Sequence, residues 1–193
     1  MIPSRQEIAY RVYGAWRLAR ADAKGAQYFD ESPAAALRSF FAAVLVAPAF
    51  LATLALLRTE PPPAEPLAIG LVIVLGYSLL WTVYPVIVYR ICQVIDREQA
   101  FFRYLSADNW ASIIGFHFQL AVLLLIVGGV VPAALAPLVE LVMRACLLAY
   151  SWFIIRSCLD VSGVAAAAFV ALQFAVVLFI QIIAMSILYV EVP

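Results

Sequence analysis

Five stretches of apolar residues, each long enough to cross a bilayer, alternate along this chain with short segments where charge, proline and turn residues collect. A helix that spans the hydrocarbon core needs about 20 such residues, and a water-soluble fold has no place to bury five of them. The sequence reads as an all-α integral membrane protein, a bundle of five transmembrane helices with an N-terminal amphipathic helix on the cytoplasmic side. Composition agrees: 66% of the 193 residues are hydrophobic and 12% charged, against about 45–50% and about 25% in soluble domains. The 12 basic and 12 acidic residues cancel, so no basic field recruits nucleic acid. The partners this leaves are the lipid bilayer, another membrane protein or a second copy of the chain.

The chain divides into a cytoplasmic segment, 1–33, and a membrane domain, 34–190. The first span is expected over 34–57, with Ser32 as N-cap and Pro33 at the first helical position, ended by Arg58 and Pro61-Pro62-Pro63. The others are expected over 67–89, 110–131, 133–155 and 161–190; the last, about 45 Å at 1.5 Å per residue, must tilt or protrude. Residues 90–109 mix charges with the apolar cluster Phe101, Phe102, Tyr104 and Leu105 and are expected to lie as a loop along the membrane surface. Basic residues crowd the N-terminal segment and this loop, so both are expected in the cytoplasm and Glu191-Val192-Pro193 outside. The N-terminal segment lacks the continuous apolar run of a signal peptide. Ser4 and Glu7 have capping-box spacing, and Ile8, Val12, Trp16, Ala19 and Ala23 follow along one side of the helix they would open. That helix either anchors on anionic lipid or, the plainer reading, packs on the bundle.

Catalytic signatures are missing from the sequence. Cys92, Cys146 and Cys158 have no C-x-x-C spacing and His117 is the one histidine, so no metal site and no cofactor is expected. Cys92 and Cys158 fall near the cytoplasmic boundary, as sites of reversible acylation or as small apolar residues. His117 is expected to bond across to a neighbouring helix. Glu140 and Arg144 are spaced i,i+4 with the acid first, the favourable order for pairing. Arg144 is expected near the bilayer middle, where a charge costs roughly 2.5–3.5 kcal/mol. The pair is either an ion or proton pathway or a structural clasp that shares Gln173 of the last span. Pro48 and Pro85 each remove a helical hydrogen bond.

The run Ser32-Pro33-Ala34-Ala35-Ala36-Leu37-Arg38-Ser39-Phe40-Phe41 at the entry to span one, and Arg156 to Gly163 leading into an alanine-rich final span, resemble the Yip1-like family of small five-span membrane proteins. The resemblance extends over Ser32 to Tyr189; Phe102 to Trp110 departs from it. It implies a non-enzymatic role in membrane organisation or partner binding, with no catalytic residue to carry over. On that reading Arg97, Arg103, Asp108 and Trp110, with Arg11 and Arg17, form a cytoplasmic interaction surface, or serve only to anchor on lipid. The rival expectation is a small transporter or channel subunit with a polar intramembrane seam of Glu140, Arg144, His117 and Gln173.

Overall fold

Ser32 accepts a hydrogen bond from the Ala35 backbone N–H at 3.2 Å and Pro33 opens the helix behind it, the start that the sequence marks. In the computed structural model, which describes residues 2–57 and 64–189, every regular element is helical. Arg58, Pro61-Pro62-Pro63, Val190 and Glu191-Val192-Pro193 lie outside the described residues. The order is α1 (Arg5–Ala19), a 3-10 turn (Ala23–Tyr28), α2 (Pro33–Ser39), α3 (Phe41–Leu57), α4 (Pro66–Val94), α5 (Glu98–Val127), α6 (Ala136–Leu159) and α7 (Gly163–Tyr189). By length and composition five segments can cross a membrane: α2 and α3 taken together, α4, α5, α6 and α7. Pro48 and Pro85 lie inside α3 and α4.

The boundaries differ most at 90–109, which is helix rather than a loop. α4 continues to Val94, the chain reverses through Asp96 in the left-handed region (φ 57°), and α5 starts at Glu98. The Arg97 N–H closes the turn on the Cys92 carbonyl at 2.8 Å, the five-residue bond typical of a helix C-terminus. Hydropathy falls where the charges begin, but backbone hydrogen bonding does not. Phe101, Tyr104 and Leu105 recur at three and four residues and are buried in the core, so the apolar cluster is the inner face of α5.

α5 is the central helix: α1, α2, α3, α4 and α6 all pack against it, while α7 closes the bundle against α4 and α6. The core concentrates at the end of the bundle that carries the N-terminal segment, around Trp110, Tyr104, Val88, Cys92, Ile155 and Cys158. There α1 packs on the bundle, and the Tyr150 hydroxyl donates to its Ala15 carbonyl at 2.8 Å. Only two of the five residues of the expected stripe are even partly buried. Ile8 and Val12 pack against the core, whereas Trp16, Ala19 and Ala23 are exposed. A four-residue step overshoots the helical repeat by about 40°, so the inward face passes instead to Ala15 and Leu18. Ser4 caps the Glu7 N–H at 3.1 Å, but the Glu7 side chain turns to Arg38, at 3.2 Å, instead of completing the box.

Gly14 lets the 3-10 turn close on α1, since a Cβ there would collide with the Tyr28 side chain. Replacing Gly14 by Ala is expected to cost about 1–3 kcal/mol through overpacking and to expose Arg17, Arg20 and Lys24 to trypsin in the detergent-solubilised protein. Unchanged protection would show that the segment docks without that close approach.

Candidate functional site

Once 98–127 is one helix, Asp108, Ser112, Phe116 and Gln119 fall on a single side of it, at spacings of four, four and three. One turn before, Tyr104 is buried with a hydroxyl that has no hydrogen-bond partner. Beside Asp108, Asn109 is buried and donates from Nδ2 to the Ser39 hydroxyl at 2.8 Å, and Ser39 donates to the Ala36 carbonyl at 2.6 Å. This chain of bonds fixes α5 against α2 and sets the rotation that turns Asp108 inward.

Two cavities flank that side of α5. The larger, of about 300 Å³, lies between α3, α4, α5 and α7 and is lined by Phe50 and Thr53, by Trp81 and Tyr84, by the α5 residues and by Gln173 and Gln181. The second, of about 170 Å³, lies between α5, α6 and α7 beside Tyr150 and Ser151. Asp108, Ser112, Phe116, Gln119 and Gln173 line both. Gln119 and Leu57 also border a recess of about 30 Å³ at Glu140 and Arg144, so the polar groups follow one another from Asp108 through Gln119 to the ion pair on α6.

The hydroxyls in the larger cavity are already used as donors. Thr53 gives its proton to the Ala49 carbonyl at 2.9 Å, Tyr84 to that of Phe169 at 3.1 Å and Ser112 to that of Asp108 at 3.0 Å. Among the described residues the Asp108 carboxylate has neither a hydrogen bond nor an ion pair, and no Lys, Arg or His lines either cavity. Asp108 is thus an inward-facing carboxyl group without a counter-charge among the described residues.

The residues expected to form one cytoplasmic surface are dispersed. Asp108 lines the interior cavities, and Trp110, 1% exposed, is core. Arg11 is buried and bonds the Tyr28 carbonyl and Asp30. Arg17 is bound to Asp22, at 2.7 Å from Nε, and to the Tyr28 hydroxyl at 3.3 Å. Its guanidinium and the Lys24 N–H hold the Asp22 carboxyl below the usual carboxylate range. Arg97 and Arg103 alone remain together, in an open polar cleft of about 570 Å³ between the α4–α5 turn, Glu31 and Asp160. Arg103 reaches Glu31 at 2.7 Å and the Cys158 carbonyl at 3.0 Å; Arg97 reaches Asp160 at 3.6 Å.

The expected seam is likewise rearranged. His117 is exposed and bonds the Ile113 carbonyl of its own helix at 2.7 Å, not a neighbour. Gln173 belongs with Asp108 and not with Arg144. Glu140 and Arg144 do pair, at 3.7 Å, with side chains 41% and 69% exposed. Because α6 starts at Ala136, Arg144 comes about 12 Å along it, at 1.5 Å per residue, a turn short of the middle of this 24-residue helix. Cys92 and Cys158 are buried and closed to acylation, and Cys146 is exposed. Ser112, Gln119, Tyr84 and Gln181 are not expected as site residues from the sequence; the spacing of 108, 112 and 119 carries the signal once the helix is known to begin at Glu98.

No protein family, curated protein or solved structure matches this chain.

Changing Arg144 to Leu leaves Glu140 without its partner and is expected to lower the folded yield by size-exclusion profile, with much of it recovered when both residues become Leu. Equal yield in single and double variants would remove any clasp role from the pair.

Proposed function

We propose that this chain is a non-enzymatic, multi-pass protein of a bacterial cytoplasmic membrane that passes a small polar solute or ion along the interior of its bundle, as a transporter or channel subunit. The carrying observation is the Asp108 carboxyl group, which lines two adjoining cavities in which no described residue supplies an opposite charge. An ionisable group in a membrane interior is costly, and the cost is repaid where the group meets something that moves through. Gln119 extends the polar lining towards Glu140 and Arg144, and the pair forms the far mouth of the path. The basic residues of the N-terminal segment and of 90–103 put the N-terminus and the core-rich end in the cytoplasm and the C-terminus outside. In this orientation Asp108 stands nearer the cytoplasmic mouth and Arg144 nearer the outer one.

A second reading rests on a different observation, the open polar cleft at Arg97 and Arg103. In that reading the chain is a Yip1-like structural or interaction protein that presents this cleft to a partner or to lipid headgroups, and the interior cavities are incidental.

Proteoliposomes loaded with a pH-sensitive dye separate the two. The transport reading expects flux of protons, monovalent cations or small amines above that of empty liposomes, cut at least about tenfold by Asp108→Asn, a loss of about 1.4 kcal/mol of stabilisation or more. Flux absent across the panel, or unaffected by Asp108→Asn in a protein that folds, overturns it in favour of the second reading.

A further inference from the structure

The charge and the chemistry of the larger cavity together specify what it can hold. Asp108 is the one acidic side chain among the described residues that line it, and no basic side chain joins it there. Thr53, Tyr84 and Ser112 have their hydroxyl protons committed to backbone carbonyls and offer a ligand only lone pairs. An anion would meet the carboxyl group and these acceptors, with only the carboxamide N–H groups to receive it. A cation would meet the carboxylate, those same lone pairs and the amide oxygens of Gln119 and Gln173.

Aromatic rings complete the selection. Phe50, Trp81 and Phe116 line the same space, with Phe50 and Phe116 edge to face at 6.3 Å between centroids. Ring faces attract cations that have little hydration to lose, organic ammonium groups above compact metal ions. A compact metal ion prefers a cage of oxygens, and the rings supply none. The volume of about 300 Å³ is at the small end of the range for ligand sites and suits an amine with one ring or a short chain.

We infer that the cavity between α3, α4, α5 and α7 is a binding site for a small organic ammonium cation, with Asp108 as counter-ion and the Trp81, Phe50 and Phe116 rings as its apolar wall. This deepens the transport reading by naming the substrate class of the same cavity, and it rests on that reading only for the consequence that the cation moves on.

Binding and movement are tested apart. Equilibrium dialysis of the full detergent-solubilised chain compares phenethylammonium with its neutral isostere 2-phenylethanol and with the anion phenylacetate. The cation is expected to bind at least about tenfold more tightly than either, as a close opposite charge requires. Asp108→Asn is expected to erase that margin, and Trp81→Leu to weaken the cation about fivefold while leaving 2-phenylethanol nearly unchanged. Equal binding of cation and alcohol, or tighter binding of phenylacetate, overturns the site. The ranking of the three ligands on the unaltered protein decides even where a variant fails to fold. Cation preference without flux in liposomes defeats transport and leaves the site standing; flux with no cation preference does the reverse.

Discussion

A carboxylate on the inner side of a central helix is the constraint that the rest of this bundle is arranged around. An isolated charge moved from water into a low-dielectric interior costs several kcal/mol even after the surroundings relax. A bundle has three remedies: a counter-charge, a set of hydrogen-bond donors, or room for solvent. For Asp108 the first two are absent among the described residues, and the third is present. At about 30 Å³ per water molecule, the larger cavity, about 300 Å³, has space for a solvation shell. The cavities are therefore the condition on which the charge is tolerated.

Holding such a space open needs a firm frame on one side of it. That frame is the end of the bundle where α1, α2 and the first half of α5 meet, and where Trp110, Tyr104, Leu18 and Ile155 are almost wholly buried. The Asn109–Ser39 bond fixes the rotation of α5 within it. A rotation of α5 by one residue, about 100°, would carry Asp108 away from the cavities it lines. The other half of the bundle is looser, with Val127, Val130 and Leu138 exposed, as apolar side chains facing hydrocarbon can be.

The five apolar segments, their order and the two N-caps at Ser4 and Ser32 were legible in the sequence because they rest on local signals: length, hydropathy and a side-chain oxygen three residues before an N–H. The site was not, for one physical reason. Hydropathy sees the solvent preference of a window and is blind to whether helical hydrogen bonds continue through it. Charges at Arg97, Glu98 and Arg103 made 90–109 read as a surface loop, so Asp108 and Trp110 were assigned to a cytoplasmic face. In the bundle the same charges sit at the helix start and in the open cleft, while Asp108 lines the cavities and Trp110 is buried in the core. Likewise Glu140 and Arg144 were rightly paired by their spacing, while the partner assigned to them, Gln173, depended on helix rotation, which no local pattern encodes.

An inward-facing Asp108 requires that water and small polar molecules reach the inner side of α5. Cysteine accessibility measures this directly. In a Cys146→Ala background, whose two remaining cysteines are buried, Ser112→Cys is compared with Phe118→Cys on the exposed outer side of the same helix, using a small cationic methanethiosulfonate reagent on membranes. The account predicts that position 112 reacts at least about tenfold faster, since only the aqueous side supports thiolate formation. Equal rates, or faster reaction at 118, would mean that the inner side of α5 is dry and that Asp108 has no open path.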